Sequence, residues 1–577
     1  MKKKIYMVDS SAPFFVRKKQ KKEQSAEPSI NWSKAPTHDL LKNNKVRRKT
    51  HKKIREGFQV YVKRLSKLGY NSLSIDEAAY LLWPVREVDS LPIRKWVQKY
   101  RKYYRKLFRI ALEHGMTPYL TADVWYFVHT PEGAKKRELF EHMARSFRGL
   151  LKDFPELGGI ILRVGESDGV DVESPFRSQL MVKTAADLRK CLQTILPAFQ
   201  ETERTLIFRT WTLGAGKIGD LLWNRNTLLQ SLPVQCLSSD NFLLSYKFSQ
   251  SDFTRYQKLN PYALNSPAPY ILELQTRREY EGFGEFPCFV GFDYSDYARQ
   301  LRNNSRLRGI HVWCQTGGWS RFKNYSFLKS RSYWNELNTA VTVHLFRSNG
   351  DLDASLLKAG YSSGELIRIR RFLQLSDDLI KHVLYIPSFA SRELYLNRSR
   401  IPSLIHVLWD RITVTSLLAE VVRIYSGSAE SDWHKSCAAM DGLSEMEDLA
   451  RKLRLRYRSR FHRDTMQLFQ LSQRALLFTE ESAVQELQEF FKKYSDRYPG
   501  AYDLTVRMEK KPGRMQKALL GFLFKSLIRT QPEYRFRDRA VFGILGPLIV
   551  HILLPMFRKY LPDTLDQQAM PVAELIG

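Results

Sequence analysis

The sequence predicts an α/β fold: a (β/α)8 TIM barrel followed by a mostly α-helical C-terminal domain. Three observations predict it. From about residue 29 to 325, short apolar or β-branched runs alternate with longer amphipathic stretches. Eight such runs can be placed, which suits a closed parallel sheet: parallel neighbours need crossover connections, and crossover helices cover the sheet's outer face. Beyond about residue 330 the β-rich runs fade and helical periodicity takes over. A shorter doubly wound sheet is the alternative.

The expected strands, in order, are Ser29–Trp32, Asn71–Ile75, Thr117–Ala122, Gly159–Val164, Thr205–Thr210, Phe242–Phe248, Tyr270–Gln275 and Gly309–Cys314. Between them, Arg48–Leu68, Ile93–His114, Ala134–Lys152, Ala185–Gln200 and Tyr294–Arg302 read as helices. The later helices are Tyr333–Leu345, Leu352–Leu375, Leu404–Tyr425, Met446–Thr479, Ser482–Tyr494 and Met515–Thr530. Within the fourth of these, the cationic run from Leu449 to Phe461 reads as an arginine-rich outer face. The chain thus divides into a basic flexible arm (1–28), the barrel (29–330) and the helical domain (331–577).

At 577 residues, 43% hydrophobic and 12% aromatic, the chain can bury a large core, which excludes disordered, collagen-like and disulfide-miniprotein classes. Lys and Arg total 92 against 60 Asp and Glu, a net charge of +32 that favours anionic partners. No zinc finger, RNP-like motif or helix-turn-helix accompanies it, so nucleic acid is not expected. The 5 cysteines are scattered without a CxxC pair, so a disulfide framework or zinc ribbon is not expected and a reducing, cytoplasmic setting fits. The opening Met1–Asp9 is interrupted by Asp9 before an apolar run of signal-peptide length forms, so no cleaved export signal is expected. Residues 541–557, VFGILGPLIVHILLPMF, carry no formal charge between basic flanks. The plain reading is a buried helix. The alternative, together with the basic arm around Arg17-Lys18-Lys19-Gln20-Lys21-Lys22, is contact with an anionic membrane surface, peripheral to the inner membrane.

In such a barrel, chemistry belongs to the carboxyl ends of the strands and the loops after them. The third strand leads to Asp123 and Trp125. The fourth leads through Arg163 to Glu166 and Asp168. The fifth brings Arg209 and Trp211. On the seventh, period-two alternation puts Glu273 and Gln275 on one face, followed by Arg277, Arg278, Glu279 and Glu281. The eighth carries His311 and Trp313, with Trp319 after it. A mouth rich in Trp, Glu and Arg suits a sugar: aromatic faces stack on the pyranose, and paired carboxylates serve as acid and as base or nucleophile. Arginine forks would suit an acidic sugar. No HExxH, GxxxxGK[ST] or GxSxG pattern is present, so no metal or cofactor is expected.

The run Gly165-Glu166-Ser167-Asp168-Gly169 after a barrel strand resembles the acidic loop of the α-glucuronidases of glycoside hydrolase family 67. Leu272-Glu273-Leu274-Gln275-Thr276-Arg277-Arg278-Glu279-Tyr280-Glu281-Gly282 resembles that family's Gln-Glu-Tyr-x-Gly strand end, with Arg278 where the family has Gln. Trp334-Asn335-Glu336-Leu337-Asn338 and Val343-His344-Leu345-Phe346 are similar to its helix after the last strand. The resemblance implies a glycosidase acting on a uronic-acid-containing glycan, with Glu166 as general acid. The family's bases lie beyond the eighth strand, where this chain reads Gln315-Thr316-Gly317-Gly318-Trp319-Ser320 without a carboxylate. The resemblance thus does not carry over the base; the reading of the seventh-strand loop offers Glu279 or Glu281, after them Glu273, to activate water or attack the anomeric carbon. The alternative function is a non-catalytic glycan-binding or polysaccharide-assembly protein at the membrane surface.

Overall fold

The computed structural model describes residues 4–15, 37, 41–42, 45–46, 48–83, 91–124, 135–164, 182–212, 218–219, 221–315, 322, 325–328, 332–508, 521–522, 524–536 and 538. Eight parallel strands close on themselves: β1 (Ile5–Asp9), β2 (Ser72–Ile75), β3 (Thr117–Asp123), β4 (Gly159–Arg163), β5 (Thr205–Arg209), β6 (Phe242–Lys247), β7 (Tyr270–Gln275) and β8 (Leu307–Trp313). Each pairs with its sequence neighbour, and β8 returns to β1 through Ile5–Gly309 and Met7–His311.

The crossovers are α1 (Arg48–Leu68), α2 (Leu91–Glu113), α3 (Lys136–Asp153), α4 (Ala185–Glu201), α5 (Arg225–Ser231) and α6 (Gly291–Leu301), and α7 (Tyr333–Arg347) follows β8. The β6–β7 connection carries only the single turn Pro261–Leu264. Each long helix forms because its apolar residues recur at three- and four-residue spacing. In α1 this stripe buries Ile54, Phe58, Tyr61, Val62 and Leu65 against the sheet. Thr184 caps α4 by accepting a hydrogen bond from the Asp187 N–H.

Two boundaries differ from the sequence expectation. The first strand is Ile5–Asp9, so the barrel starts inside the segment expected as a flexible arm. Residues 16–28 and the expected strand Ser29–Trp32 lie outside the described residues. The apolar run IYMVD, short and closed by Asp9, is a buried barrel strand. At the other end α7 belongs to the barrel. Tyr70 donates to the Thr339 carbonyl and Arg347 to that of Gly69, closing the helical ring over the β8–β1 seam.

The C-terminal region is helical, with α8 (Leu366–Leu379), α9 (Ser416–Tyr425), α10 (Ala429–Lys452), α11 (Ser459–Phe478) and α12 (Glu481–Arg497). Part of the expected helix Leu404–Tyr425 is instead a sheet. Arg411–Thr415 pairs with Val407–Leu408 and, in parallel, with Asp503–Arg507, because the β-branched run Ile412-Thr413-Val414-Thr415 suits a strand. The expected helix Met446–Thr479 breaks between Lys452 and Ser459, where Arg454 takes φ 52°. Ile528–Arg529, expected within a helix, pairs with Tyr395–Leu396. Among the described residues no helix is long and apolar enough to cross a membrane, and 541–557 lies outside them.

Inside the barrel the alternation of side chains builds layers. Ile5, Met7, Tyr119, Ile161, Ile207, Leu243 and Ile271 form an apolar plug at the amino-terminal side. Gly159 and Gly309 sit at the tightest approach, where a Cβ would stand 1.9 Å from the Thr205 carbonyl oxygen and 1.7 Å from that of Ile5. Gly309→Ala is therefore expected to pry β8 from β1 and lower the denaturation midpoint. Gly149→Ala, on α3 with nothing within 4 Å of the new carbon, is expected to raise stability by about 0.5–1 kcal/mol. Urea titration of both variants checks the pair.

Candidate active site

Above the apolar plug the inward-facing positions turn polar. Strand parity carries Asp9, Asp123, Arg163, Arg209, Lys247, Glu273, Gln275 and Trp313 to the carboxyl ends of their strands, facing the barrel axis. Asp76 follows β2 in the same alternation. All are buried. Three cations on the consecutive strands β4, β5 and β6 each face a carboxylate: Arg163 that of Asp123, Arg209 that of Glu273 and Lys247 that of Asp252.

Glu273 is the most tightly held carboxylate on this axis. Arg209 Nε donates to its Oε1 at 3.0 Å and its Oε2 at 2.9 Å, Ser245 Oγ donates at 2.7 Å, and Trp313 Nε1 at 3.3 Å. Burial alone would lift its carboxyl, but the Arg209 charge and the hydrogen bonds from Ser245 and Arg209 together overcome burial and hold Glu273 below the ordinary carboxylate range. The Arg209 guanidinium lies 5.1 Å from the Trp313 ring centroid, and its terminal amino groups make no hydrogen bond to a described residue. His311 packs against Trp313 at 4.6 Å, and its Nε2 is 3.0 Å from Ser74 Oγ. Burial depresses its pKa to about 4, so the ring is neutral at pH 7. Its Nδ1 is buried and has no hydrogen-bond partner among the described residues.

A second group surrounds Arg163. Its Nε donates to Asp123 at 2.7 Å, and its terminal nitrogens lie 3.5 Å from Asp76 and 3.9 Å from Glu77. Burial opposes its charge, but Asp123, Asp76 and Glu77 prevail and keep it protonated. On β6, Lys247 bonds Asp252 at 2.7 Å and lies 3.2 Å from the Trp211 ring centroid. Tyr280 donates to the other oxygen of Asp252 at 2.5 Å.

The chain after β7 splits the acidic cluster that the sequence suggested. Glu279 stays beside the mouth: Gln275 Nε2 donates to it at 2.5 Å and Arg277 at 3.0 Å, while Arg277 also bonds the Gln315 carbonyl. Arg278 takes φ 48° and turns the chain away. Glu281 then enters a buried knot. Its Oε1 accepts from Arg278 and from Tyr385 at 2.7 Å; its Oε2 accepts from Arg278 at 2.9 Å, Arg255 at 3.2 Å and Cys288 at 2.6 Å. Arg255 further bonds Asp293 at 2.7 Å and lies 3.2 Å from Asp377, which Lys381 approaches at 2.8 Å. The knot ties the β7 loop to the C-terminal helices. Held in this knot by Arg278, Arg255, Cys288 and Tyr385, Glu281 braces the β7 loop against the C-terminal region. Arg278, expected to hold substrate, serves the same brace.

Glu166, Asp168, Trp125 and Trp319 lie outside the described residues. Sequence reasoning also missed members of the mouth. Asp9 was unreadable as a site residue without β1; burial lifts its carboxyl, and it accepts from the Cys314 N–H at 2.7 Å. Lys247 and Ser245 were legible by the same parity that selected Glu273. Asp76 and Glu77 directly follow β2 and give no motif. Among the described residues, no group of three or more His, Cys, Asp or Glu could hold a metal ion.

No protein-family model and no curated protein matches this chain. In fold it is similar to solved structures of glycoside hydrolases. One is a GH138 enzyme targeting pectin rhamnogalacturonan II, with 11% identity and a TM-score of 0.46 over 86% of this chain and 62% of that one. The chain thus spans less than two thirds of that enzyme's length. Another is a glycoside hydrolase family 5 enzyme from Prevotella bryantii B14, with 11% identity and a TM-score of 0.35 over 60% of this chain and 96% of that one. A D-psicose 3-epimerase is similar at 11% identity and a TM-score of 0.30, over 50% of this chain and 93% of that one. These likenesses concern the fold; family 67 membership stays a resemblance.

The brace has a pH signature. Burial opposes the charge of Glu281, yet Arg278 and Arg255 hold its pKa at about 2, against an ordinary 4.5. Its stabilisation is complete above about pH 4.5 and is lost as pH falls through about 2, on the order of 3 kcal/mol in all. Glu281→Gln is expected to be less stable at pH 7 and to show a flatter acid limb. Denaturant titrations across that pH range measure both.

Proposed function

We propose that the chain is a glycosidase using carboxylate acid/base chemistry, with Glu273 as its ionised carboxylate. One observation carries this reading: Glu273 faces the barrel axis at the end of β7 and stays charged although buried, because Arg209, Ser245 and Trp313 all donate to it. An anionic oxygen preorganised in a low-dielectric mouth stabilises positive charge developing at an anomeric carbon, and it can attack that carbon or take a proton from water. Trp211, only partly buried at the mouth, supplies an aromatic ring for a sugar. Glu166 follows β4, three strands around the ring, and takes the general-acid role that the family resemblance implies. Glu279, held by Gln275 and Arg277, is the second carboxylate within the β7 loop.

The geometry bears on substrate charge. Arg163 and Arg277 face carboxylates of the chain itself, so an acidic sugar would rely on the terminal amino groups of Arg209. A uronate-containing glycan is the substrate proposed on that ground.

Glu273→Gln is expected to cut turnover on the order of a thousandfold, its amide oxygen still accepting from Arg209. Glu166→Gln should spare substrates with activated aryl leaving groups, which need no proton. Arg209→Gln removes the cation that counters burial, so the acid limb of kcat/KM should move to higher pH. Assays over a panel of uronate-containing and neutral glycans test all three. Unchanged turnover in Glu273→Gln would sink the assignment.

A further inference from the structure

The strongest charge asymmetry lies on the barrel's flank. Helices α1 and α2 each carry eight Lys or Arg and a single Glu. They pack side by side, pinned by the His51 and Tyr103 rings stacked at 3.9 Å. On α2, Lys95, Lys99, Lys102, Lys106 and Arg109 are exposed at alternating four- and three-residue spacing. They form one straight row about 21 Å long. On α1, Lys49, Lys52, Lys53, Lys63 and Lys67 are exposed alongside.

This face is uncompensated among the described residues. There the α2 row makes no ion pair, and the α1 lysines have only the 4.0 Å approach of Lys52 to Glu56. Elsewhere several cations are paired within the chain, among them Arg137 with Glu141, Arg148 with Glu201, Arg371 with Glu445 and Arg497 with Asp464. Like charges three and four residues apart destabilise a helix, so the row persists against its own repulsion. A counter-surface of opposite charge would relieve that cost.

We propose that the α1–α2 flank docks on an anionic lipid surface. The face is dominated by lysine, a point charge that suits fluid headgroups rather than the bidentate recognition arginine provides. Tyr103, the aromatic ring between the two helices, is engaged by His51 and so is not open for stacking sugars or bases. Val60, 47% exposed on α1, shares its helix face with Lys53 and Lys67 and would meet the headgroup layer. Both rows run along the barrel's side, so docking leaves the mouth open to substrate. This site is separate from the proposed catalytic mouth and stands or falls without it.

Sedimentation of the full chain with vesicles tests the proposal. It should bind phosphatidylcholine vesicles containing about 30 mol% phosphatidylglycerol and not phosphatidylcholine alone. Binding should fade as salt rises from about 0.1 M to about 1 M and the screening length falls from about 10 Å to about 3 Å. The variant Lys95→Gln/Lys99→Gln/Lys102→Gln/Lys106→Gln should lose on the order of a hundredfold in affinity with its thermal midpoint unchanged or raised. Lys492→Gln/Lys493→Gln, on α12, should bind like the parent. Equal binding by the quadruple variant, indifference to phosphatidylglycerol, or preference for a sulfated polysaccharide or duplex DNA over the vesicles would each overturn it.

Discussion

Closing a parallel sheet on itself commits every second side chain of eight strands to a space that water barely reaches. What fills that space must either be apolar or arrive already paired. Here the amino-terminal layers take the first route, with Met7, Ile161, Ile207 and Ile271 interdigitated around two glycines. The carboxyl-terminal layer takes the second. Arg163 pairs with Asp123 on the neighbouring strand, Arg209 with Glu273 two strands away and Lys247 with Asp252 in the loop after its own strand, each charge tolerable because its partner stands within hydrogen-bond distance. Truncating one member would leave the other buried and alone. The pairing that lets the barrel close also prepares an ionised carboxylate, with Trp313 donating beside it.

The C-terminal region enters this scheme through the β7 loop. Arg278 departs from the strand direction, and Glu281 is received by Arg255 and by Tyr385 from the helical region. The loop that carries Arg277 and Glu279 is anchored one residue beyond Glu279, where Tyr280 bonds Asp252, and again at Glu281. The helices thus hold one wall of the mouth in place, a positioning role for a region that contributes no side chain to the axis among the groups described above.

The repeated alternation of short β-rich and long amphipathic runs made the barrel legible, because a parallel strand needs a crossover and the crossover's buried face leaves a three- and four-residue imprint. Period-two parity made Glu273, Gln275, His311 and Trp313 legible as one inward face. The first strand was not legible: IYMVD is short and lies next to a lysine run, so only its pairing with β8 and β2 reveals it. The hairpin at 407–415 was hidden in the same way, since its partner Asp503–Arg507 lies far along the chain.

Residue order, then, was enough to establish the eight-stranded plan, the inward parity at the strand ends and the cationic excess, all of which are local or additive properties of the chain. Which carboxylate faces the barrel axis and which serves as a brace was decided only in three dimensions. Glu273, Glu279 and Glu281 are nearly adjacent and chemically identical, and their separate fates follow from a left-handed turn at Arg278 and from partners at Arg209, Arg277 and Tyr385 that no spacing in the sequence announces.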